Sequence, residues 1–550
     1  MEGAHIATTT LELDPITLEV YWNRLITIMG ETDQALLRTA FSTIISETRD
    51  FGFTLLDEDG VGLAQSLTCL PVFAGILPYT ARAMLERFPP ATLQDGDVLC
   101  TNDPWIAAGH LPDFCFVKPV FHRGRPAAYV ASLAHMADNG GNISYFDAKD
   151  VFEEGLNLPP CKLFRAGVPN EDVFAILAAN VRVPDMVLGD VWGMRAALHV
   201  ASERLTEFLD EYDLGDLRAV ARSIRRRSGE AMRRAIAALP AGTYEHAVVC
   251  DGYGGQSVTV AATITVDGDR LTVDYAGTSP ETWLGAINCS MNYTRGSTFV
   301  ALKAALVPEV PANEAVFDAV EVAAPPGCIL NCRPPVAVKG RSAVAVHTHD
   351  AIFGALAPVI PGQVQAGSGT FWGVWALGRH PDGHPFNASM ILNGGIGAPG
   401  CKDGLSTMSY PWNSVVTSSE IYENHAPILI TRKELVPDSA GVGRFRGGLG
   451  QRVVLRPAGA IPVTVALRPV NLRFPPPGLL GGLPGSLGRI LLNRAPTAQN
   501  QFELRAGDEL VCELPGGGGF GPPAERDPAL RARDVALGYT AQPDRPGVVD

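Results

Sequence analysis

The run Asn102-Asp103-Pro104-Trp105-Ile106-Ala107-Ala108-Gly109-His110-Leu111-Pro112-Asp113, followed by Ala134-His135-Met136-Ala137-Asp138-Asn139-Gly140-Gly141, carries most of what this chain says about itself. Both runs contain Gly or Pro, which places them in loops or at strand ends rather than inside helices. Residues 97–101 predict a strand leading into the first run, and residues 127–133 one leading into the second. Imidazole and carboxylate together are the usual ligand set for Zn, Mn or Fe. The short, Pro-kinked spacing from His110 to Asp113 is expected to turn both side chains onto one ion, with His135 as a further ligand. Functional loops held on a rigid sheet are therefore the organising idea for the N-terminal part.

Around that centre, Asp14 as N-cap and Pro15 at the first helical position open a long helix, with Leu18, Trp22, Leu25, Ile28, Met29, Leu36 and Leu37 at helical spacing. Residues 51–56 and 61–64 read as a hairpin around Asp57-Glu58-Asp59-Gly60. Residues 76–88 and most of 171–239 read as helical, with breaks at Pro184 and Gly229. From about residue 242 the pattern alternates as in strands, over 243–251, 258–266 and 270–275, and it returns to helix over 291–308 and 341–357. Residues 361–420 are rich in Gly, Asn and Ser, as extended loops over a site or buried irregular structure would be. Residues 451–515 read as β-structure. Gly516 to Gly519 read as a flexible hinge, and residues 527–539 as a last short helix.

These patterns predict a mixed α/β (α+β), multi-layer fold. Its expected parts are an N-terminal metal-site region (1–240), a mixed region with Gly-rich loops (241–450), a β-rich region (451–515) and a hinge with a helical tail (516–550). With 550 residues, 46% of them hydrophobic, the chain can bury a large core. Its formal charge of −14 argues against nucleic acid as a partner, since phosphate binding needs clustered Lys and Arg. No secretory signal or apolar run of about 18 residues is seen, so no membrane span is expected. The ten cysteines include no CxxC pair and fit reduced thiols in a cytoplasmic protein.

Other candidates have plainer readings. Asp103 precedes Pro104 and reads equally as a turn residue, and Asp138 beside Asn139-Gly140-Gly141 reads equally as an Asx-turn. Asp50 before a strand reads as an edge charge beside Arg49. Glu153-Glu154 is either a solvated loop or the source of a base near the ion. His347-Thr348-His349, spaced by two, would face one side of a strand as a possible second metal site. The glycines from Gly441 to Gly450 do not follow the dinucleotide-binding spacing, and no phosphate-binding GxxxxGK[ST] occurs, so ATP is not expected to bind this chain by itself.

Taken together, the motifs resemble the B subunit of the hydantoinase/oxoprolinase family along nearly the full chain. The resemblance rests on Asp14 to Val20, Arg49-Asp50-Phe51, Asn102-Asp103-Pro104 with His110-Leu111-Pro112-Asp113, and His135 to Gly141. Glu153-Glu154-Gly155-Leu156 with Pro159-Pro160, Asp438 to Gly450, and the glycine-rich end Gly516 to Gly521 add to it. Where the family has GGTH, this chain has Ala107-Ala108-Gly109-His110, a bulkier loop without the threonine.

The resemblance implies an ATP-dependent opening of a small cyclic amide such as a hydantoin, 5-oxoproline or caprolactam. A hydantoinase A-like partner binds ATP and phosphorylates the amide oxygen, and the B subunit hydrolyses the activated ring within a hetero-oligomer. It further implies a divalent Mn, Zn or Fe held by His110, Asp113, His135 and Asp50, with Asp138 or Asp103 as the base that takes a proton from water. Two readings stand beside it: a component of an ATP-dependent ketone carboxylase, and a non-catalytic scaffold for the partner.

Overall fold

The computed structural model describes residues 13–380 and 382–541. The first helix, Pro15–Thr39, starts where its cap predicts: Asp14 Oδ1 accepts the N–H groups of Ile16 and Thr17. Satisfying these otherwise orphaned donors is worth about 1 kcal/mol. The helix buries Leu18, Trp22, Leu25, Ile28, Met29 and Leu36, packing against the long helix Pro184–Glu211.

Beneath these helices lies an antiparallel seven-stranded sheet. Its strands are β1 (Phe51–Leu56), β2 (Gly62–Gln65), β3 (Val98–Thr101), β4 (Asp113–His122), β5 (Arg125–His135), β6 (Cys161–Arg165) and β7 (Val168–Pro169). Their order is β2-β1-β5-β4-β3-β6-β7. Successive residues of β4 face opposite sides, as strand geometry requires. Phe114 and Phe116 join the helices' core, while Cys115 and Val117 join the core on the other face. Because both faces are covered, β4 reads as a continuous apolar run with no alternation to flag it.

Three further sheets are formed among the described residues. One, in the order β11-β10-β9-β8, contains β8 (Gly242–Asp251), β9 (Ser257–Asp267), β10 (Arg270–Asp274) and β11 (Val320–Ala323). β12 (Phe371–Arg379) and β13 (Pro385–Asn393) form a hairpin within the Gly/Asn/Ser-rich stretch. They continue with β16 (Val463–Arg468) and β19 (Gln501–Leu504) in the order β13-β12-β16-β19. The last sheet, β14-β15-β20-β17-β18, uses β14 (Ile428–Leu435), β15 (Gln451–Pro457), β17 (Arg489–Leu492), β18 (Ala495–Pro496) and β20 (Leu510–Glu513). One continuous core runs from Leu56 to Phe520, so distant sequence segments interleave.

Two expectations are corrected. Gly516 to Gly519 are no hinge: all four are buried, and the N–H groups of Gly517, Gly518 and Gly519 donate to the carbonyls of Gly448, Gly367 and Leu483. The run is glycine because neighbouring backbones approach closely; a Cβ at Gly517 would lie 2.2 Å from the Ile396 carbonyl oxygen. His347 and His349 do not share a strand face. They lie in the helix His347–Leu356, where residues two apart point to different sides. His347 Nδ1 meets Asp350 Oδ2 at 2.8 Å, and His349 Nδ1 meets the Tyr410 hydroxyl at 3.0 Å. Among the described residues no helix is long and apolar enough to cross a membrane.

Candidate metal centre

β1, β5 and β4 are neighbours, and register places three of the candidate residues at one end of the sheet. Asp113, first in β4, lies opposite His135, last in β5. Asp50 precedes β1, and its carbonyl accepts the His135 N–H at 3.0 Å. The loop carrying His110 is pinned on both sides. Asn102 Nδ2 donates to the carbonyls of Leu111 and Leu156, while Asn292 Nδ2 donates to those of Ile106 and Ala107. Ala107 and Ala108 are fully buried. Gly109 turns the chain with φ +87°, and a Cβ there would lie 2.8 Å from Arg341 Cδ. Glycine is thus required both by conformation and by space.

His110, Asp113 and His135 bring one ligand atom each to within 4.8 Å of one another, and all three are buried. Both imidazoles are oriented by backbone. His110 Nδ1 lies 3.0 Å from the Lys339 carbonyl, and His135 Nδ1 lies 3.0 Å from that of Met136. A carbonyl only accepts, so Nδ1 carries the proton and Nε2 presents a lone pair. His110 Nε2 stands 2.8 Å from Asp113 Oδ1, yet it has no hydrogen-bond partner of proper geometry. A lone pair against a carboxylate oxygen is repulsive unless a cation lies between them. His135 Nε2 is 3.2 Å from the Tyr145 hydroxyl, which can donate to it.

The ionisation states agree with that reading. Burial, aided by the Arg341 charge, pushes the His110 imidazole down to about 4. Burial also lowers His135, to about 3. Both are therefore neutral near pH 7 and able to ligate. Burial opposes ionisation of Asp113, but the Arg341 guanidinium, 2.7 Å from Oδ2, helps hold its carboxyl below the usual range. One carboxylate and two neutral nitrogen donors, converging away from water, form a donor set that fits a divalent transition metal.

Of the four sequence-predicted ligands, three converge. Asp50 lines the same cavity without joining the close cluster. Burial and then the Asp113 charge raise its carboxyl to about 7. The two predicted bases lie outside the close cluster. Asp103 closes an Asx-turn, accepting the Trp105 N–H at 2.9 Å, and does not line the cavity. Asp138 pairs with Arg182 Nη1 at 2.7 Å and lines a neighbouring recess beyond Tyr145. Both carboxylates are occupied by the structure that their turn-like sequence context suggested.

Arg341, Tyr145, Trp375, Phe371 and Arg468 escaped the motifs, and Glu154 reads in sequence only as a solvated loop carboxylate or a base. Glu154 is fully buried; its Oε1 accepts the N–H groups of Val338 and Lys339, each at 2.6 Å, and so holds the carbonyl that orients His110. Arg341 lies 3.9 Å over the Tyr293 ring. Tyr145 stacks on Trp375 of β12, with centroids 3.9 Å apart. Phe371, Trp375 and Arg468 bring the β12/β16 sheet to the cavity, a recess of about 630 Å³ including the space at its mouth. These residues come from segments far apart in sequence, so no local spacing could have grouped them.

The family model for hydantoinase B/oxoprolinase matches residues 14–523. The chain belongs to that family. Among its relatives is the B component of a provisionally named D-/L-hydantoinase from Pseudomonas sp. (strain NS671), 29% identical over 97% of this chain and 94% of that protein. The crystal structure of the ATP-dependent caprolactamase from Pseudomonas jessenii has a TM-score of 0.87 and 27% identity, covering 96% of this chain and 95% of that one. A nucleotide-free structure of acetone carboxylase has a TM-score of 0.86 at 19% identity, covering 96% of this chain and 78% of that one, and shares the fold. The mixed α/β architecture expected for the hydantoinase B/oxoprolinase family is the one observed.

Proposed function

We propose that this chain is the hydrolytic subunit of an ATP-dependent cyclic-amide hydrolase. In this reading His110, Asp113 and His135 hold a divalent Mn, Zn or Fe, and Asp50 completes the ligand set. The observation that carries the proposal is the convergence of two Nδ1-tethered, neutral imidazoles on a carboxylate, with an unpartnered Nε2 facing Asp113 Oδ1. Family membership and the likeness to caprolactamase support the reaction class.

An amide is a poor electrophile. A phosphorylated amide oxygen, supplied by an ATP-binding, hydantoinase A-like partner, makes the ring carbon reactive. When bound, the divalent ion would lower the pKa of water toward neutrality. The chain's own residues set the geometry. The Lys339 and Met136 carbonyls fix the imidazole tautomers. Arg341 keeps Asp113 ionised, and the Tyr145/Trp375 stack with Phe371 gives the cavity an aromatic wall that excludes water.

The test is reconstitution with a hydantoinase A-like partner, ATP and a panel of hydantoins, 5-oxoproline and lactams. The expected result is ring opening with stoichiometric ADP, abolished by His135→Ala. ATP turnover that depends on bicarbonate and a ketone, without ring opening, would replace this reading with a carboxylase.

A further inference from the structure

Three arginines in the described residues are at least 94% buried: Arg341, Arg468 and Arg526, with 5%, 6% and 5% exposure. Burying a guanidinium is costly unless it is paired, so the question for each is where its counter-charge lies. Arg341 has Asp113 at 2.7 Å. Arg526, remote from the cavity, has Asp403 at 2.7 Å and Asp534 at 2.6 Å. Arg468 has neither: among the described residues its one hydrogen bond is from Nη1 to Ser342 Oγ, and its Nε is buried without a partner. Its guanidinium lies 4.1 Å over the Phe371 ring, which supports a cation without neutralising it.

Arg468 ends β16, opposite Gly373 of β12, and lines the same cavity as the His110/Asp113/His135 cluster. In that cavity Arg341 and Asp113 cancel, and Asp50 offsets one further positive charge. A divalent ion at the cluster would leave the cavity positive overall. Five fixed N–H donors, mostly unspent, match the planar or tetrahedral oxygens of a carboxylate or phosphate.

We propose that Arg468, with Ser342, forms an oxyanion-binding subsite on the β12/β16 wall of the cavity. The substrate therefore carries an anionic group, either a carboxylate on its ring or the phosphoryl group placed on its amide. The subsite stands on Arg468 itself; only the identity of its ligand rests on the proposed function.

The experiment is calorimetric titration of the full chain, metal-loaded and chelated, with inorganic phosphate, 5-oxoproline and 2-pyrrolidinone, the same ring without the carboxylate. Wild type is expected to bind at least one of the two anions in both states. Arg468→Met should weaken that binding at least about tenfold, with Arg468→Lys and Ser342→Ala falling between, and 2-pyrrolidinone should be indifferent to all three. If 5-oxoproline outbinds 2-pyrrolidinone and the preference vanishes in Arg468→Met, the anion is the ring carboxylate. If phosphate alone shows the Arg468 dependence, it is the phosphoryl group. Should Arg468→Met fail to fold, the Lys and Ser342 variants carry the test. Anion binding absent from wild type, or unchanged in the folded variants, overturns the proposal. Arg468-dependent anion binding in a chain that takes up no Mn, Zn or Fe on reconstitution would overturn the metal reading and leave this one standing.

Discussion

Removing the Glu154 carboxylate should damage both the fold and the metal site, although Glu154 touches no proposed ligand. Its Oε1 accepts two buried backbone N–H groups, from Val338 and Lys339, at 2.6 Å each. Glu154→Ala leaves both donors unpaired in a site closed to water. Burial raises the Glu154 carboxyl to about 7, so the cost is that of two buried donors left unpaired, at about 1–3 kcal/mol each, and the expected loss is about 4 kcal/mol. Lys339, whose Nζ reaches the Asn142 carbonyl at 2.6 Å, also loses its nearest counter-charge. The Lys339 carbonyl then no longer holds His110 Nδ1, and loss of such an orienting partner typically weakens metal binding about 10–100-fold. Glu154→Gln keeps an accepting oxygen and should lose roughly a quarter as much stability, about 1 kcal/mol. Urea unfolding of the metal-free protein gives the first quantity, and competition with a chelator gives the second. A Glu154→Ala protein with wild-type unfolding and wild-type metal affinity would refute the reasoning.

Gly109→Ala should cost about 2 kcal/mol, from a left-handed φ and contact with Arg341, and should lower metal affinity in the same competition assay. Asp103→Asn and Asp138→Asn should leave metal content at wild-type levels, because neither side chain faces the cavity; loss of the ion in either would restore them to the site. In metal-free protein both site imidazoles stay neutral when folded, with values of about 4 and about 3, but titrate near 6.5 when unfolded. Above about pH 6.5 they contribute no pH dependence; as the pH falls toward 4 the unfolded chain takes up the extra protons, so stability drops by about 3 kcal/mol per histidine. Asp50, with its raised value, acts in the opposite sense. The quantity to measure is therefore wild type minus a His110→Gln/His135→Gln double variant, by urea unfolding at pH 7.5 and 5. A difference that does not shrink on acidification would contradict the buried, neutral assignment.

What the sequence made legible was what short-range spacing encodes. Asp14-Pro15 announced a helix start, the turn around Gly60 announced a hairpin, and His110 with Asp113 offered candidate ligands three residues apart. His135 could be added because a strand ends at it. β4 stayed hidden because both its faces are buried, which removes the alternation that marks a half-exposed strand. The Gly/Asn/Ser-rich stretch hid β12 and β13 for a related reason: Gly373 sits in a strand because the Trp375 indole occupies the space its side chain would take. Arg341 and Arg468 were illegible, and the structural role of Glu154 was too, because their meaning lies in contacts across 126 to 228 residues of chain, such as Arg468 to Ser342, Glu154 to Val338 and Arg341 to Asp113. Asp103 and Asp138 lie beside the motif in sequence but outside the lining of the cavity.

The central claim is that His110, Asp113 and His135 hold one divalent ion. Elemental analysis of purified wild type beside folded His110→Ala and His135→Ala variants tests it most directly. The account predicts about one transition-metal ion per wild-type chain and loss from both variants, as removal of one of a few ligands requires. Stoichiometric metal retained in both variants, or a wild type that stays metal-free after reconstitution with Mn, Zn and Fe, would contradict it.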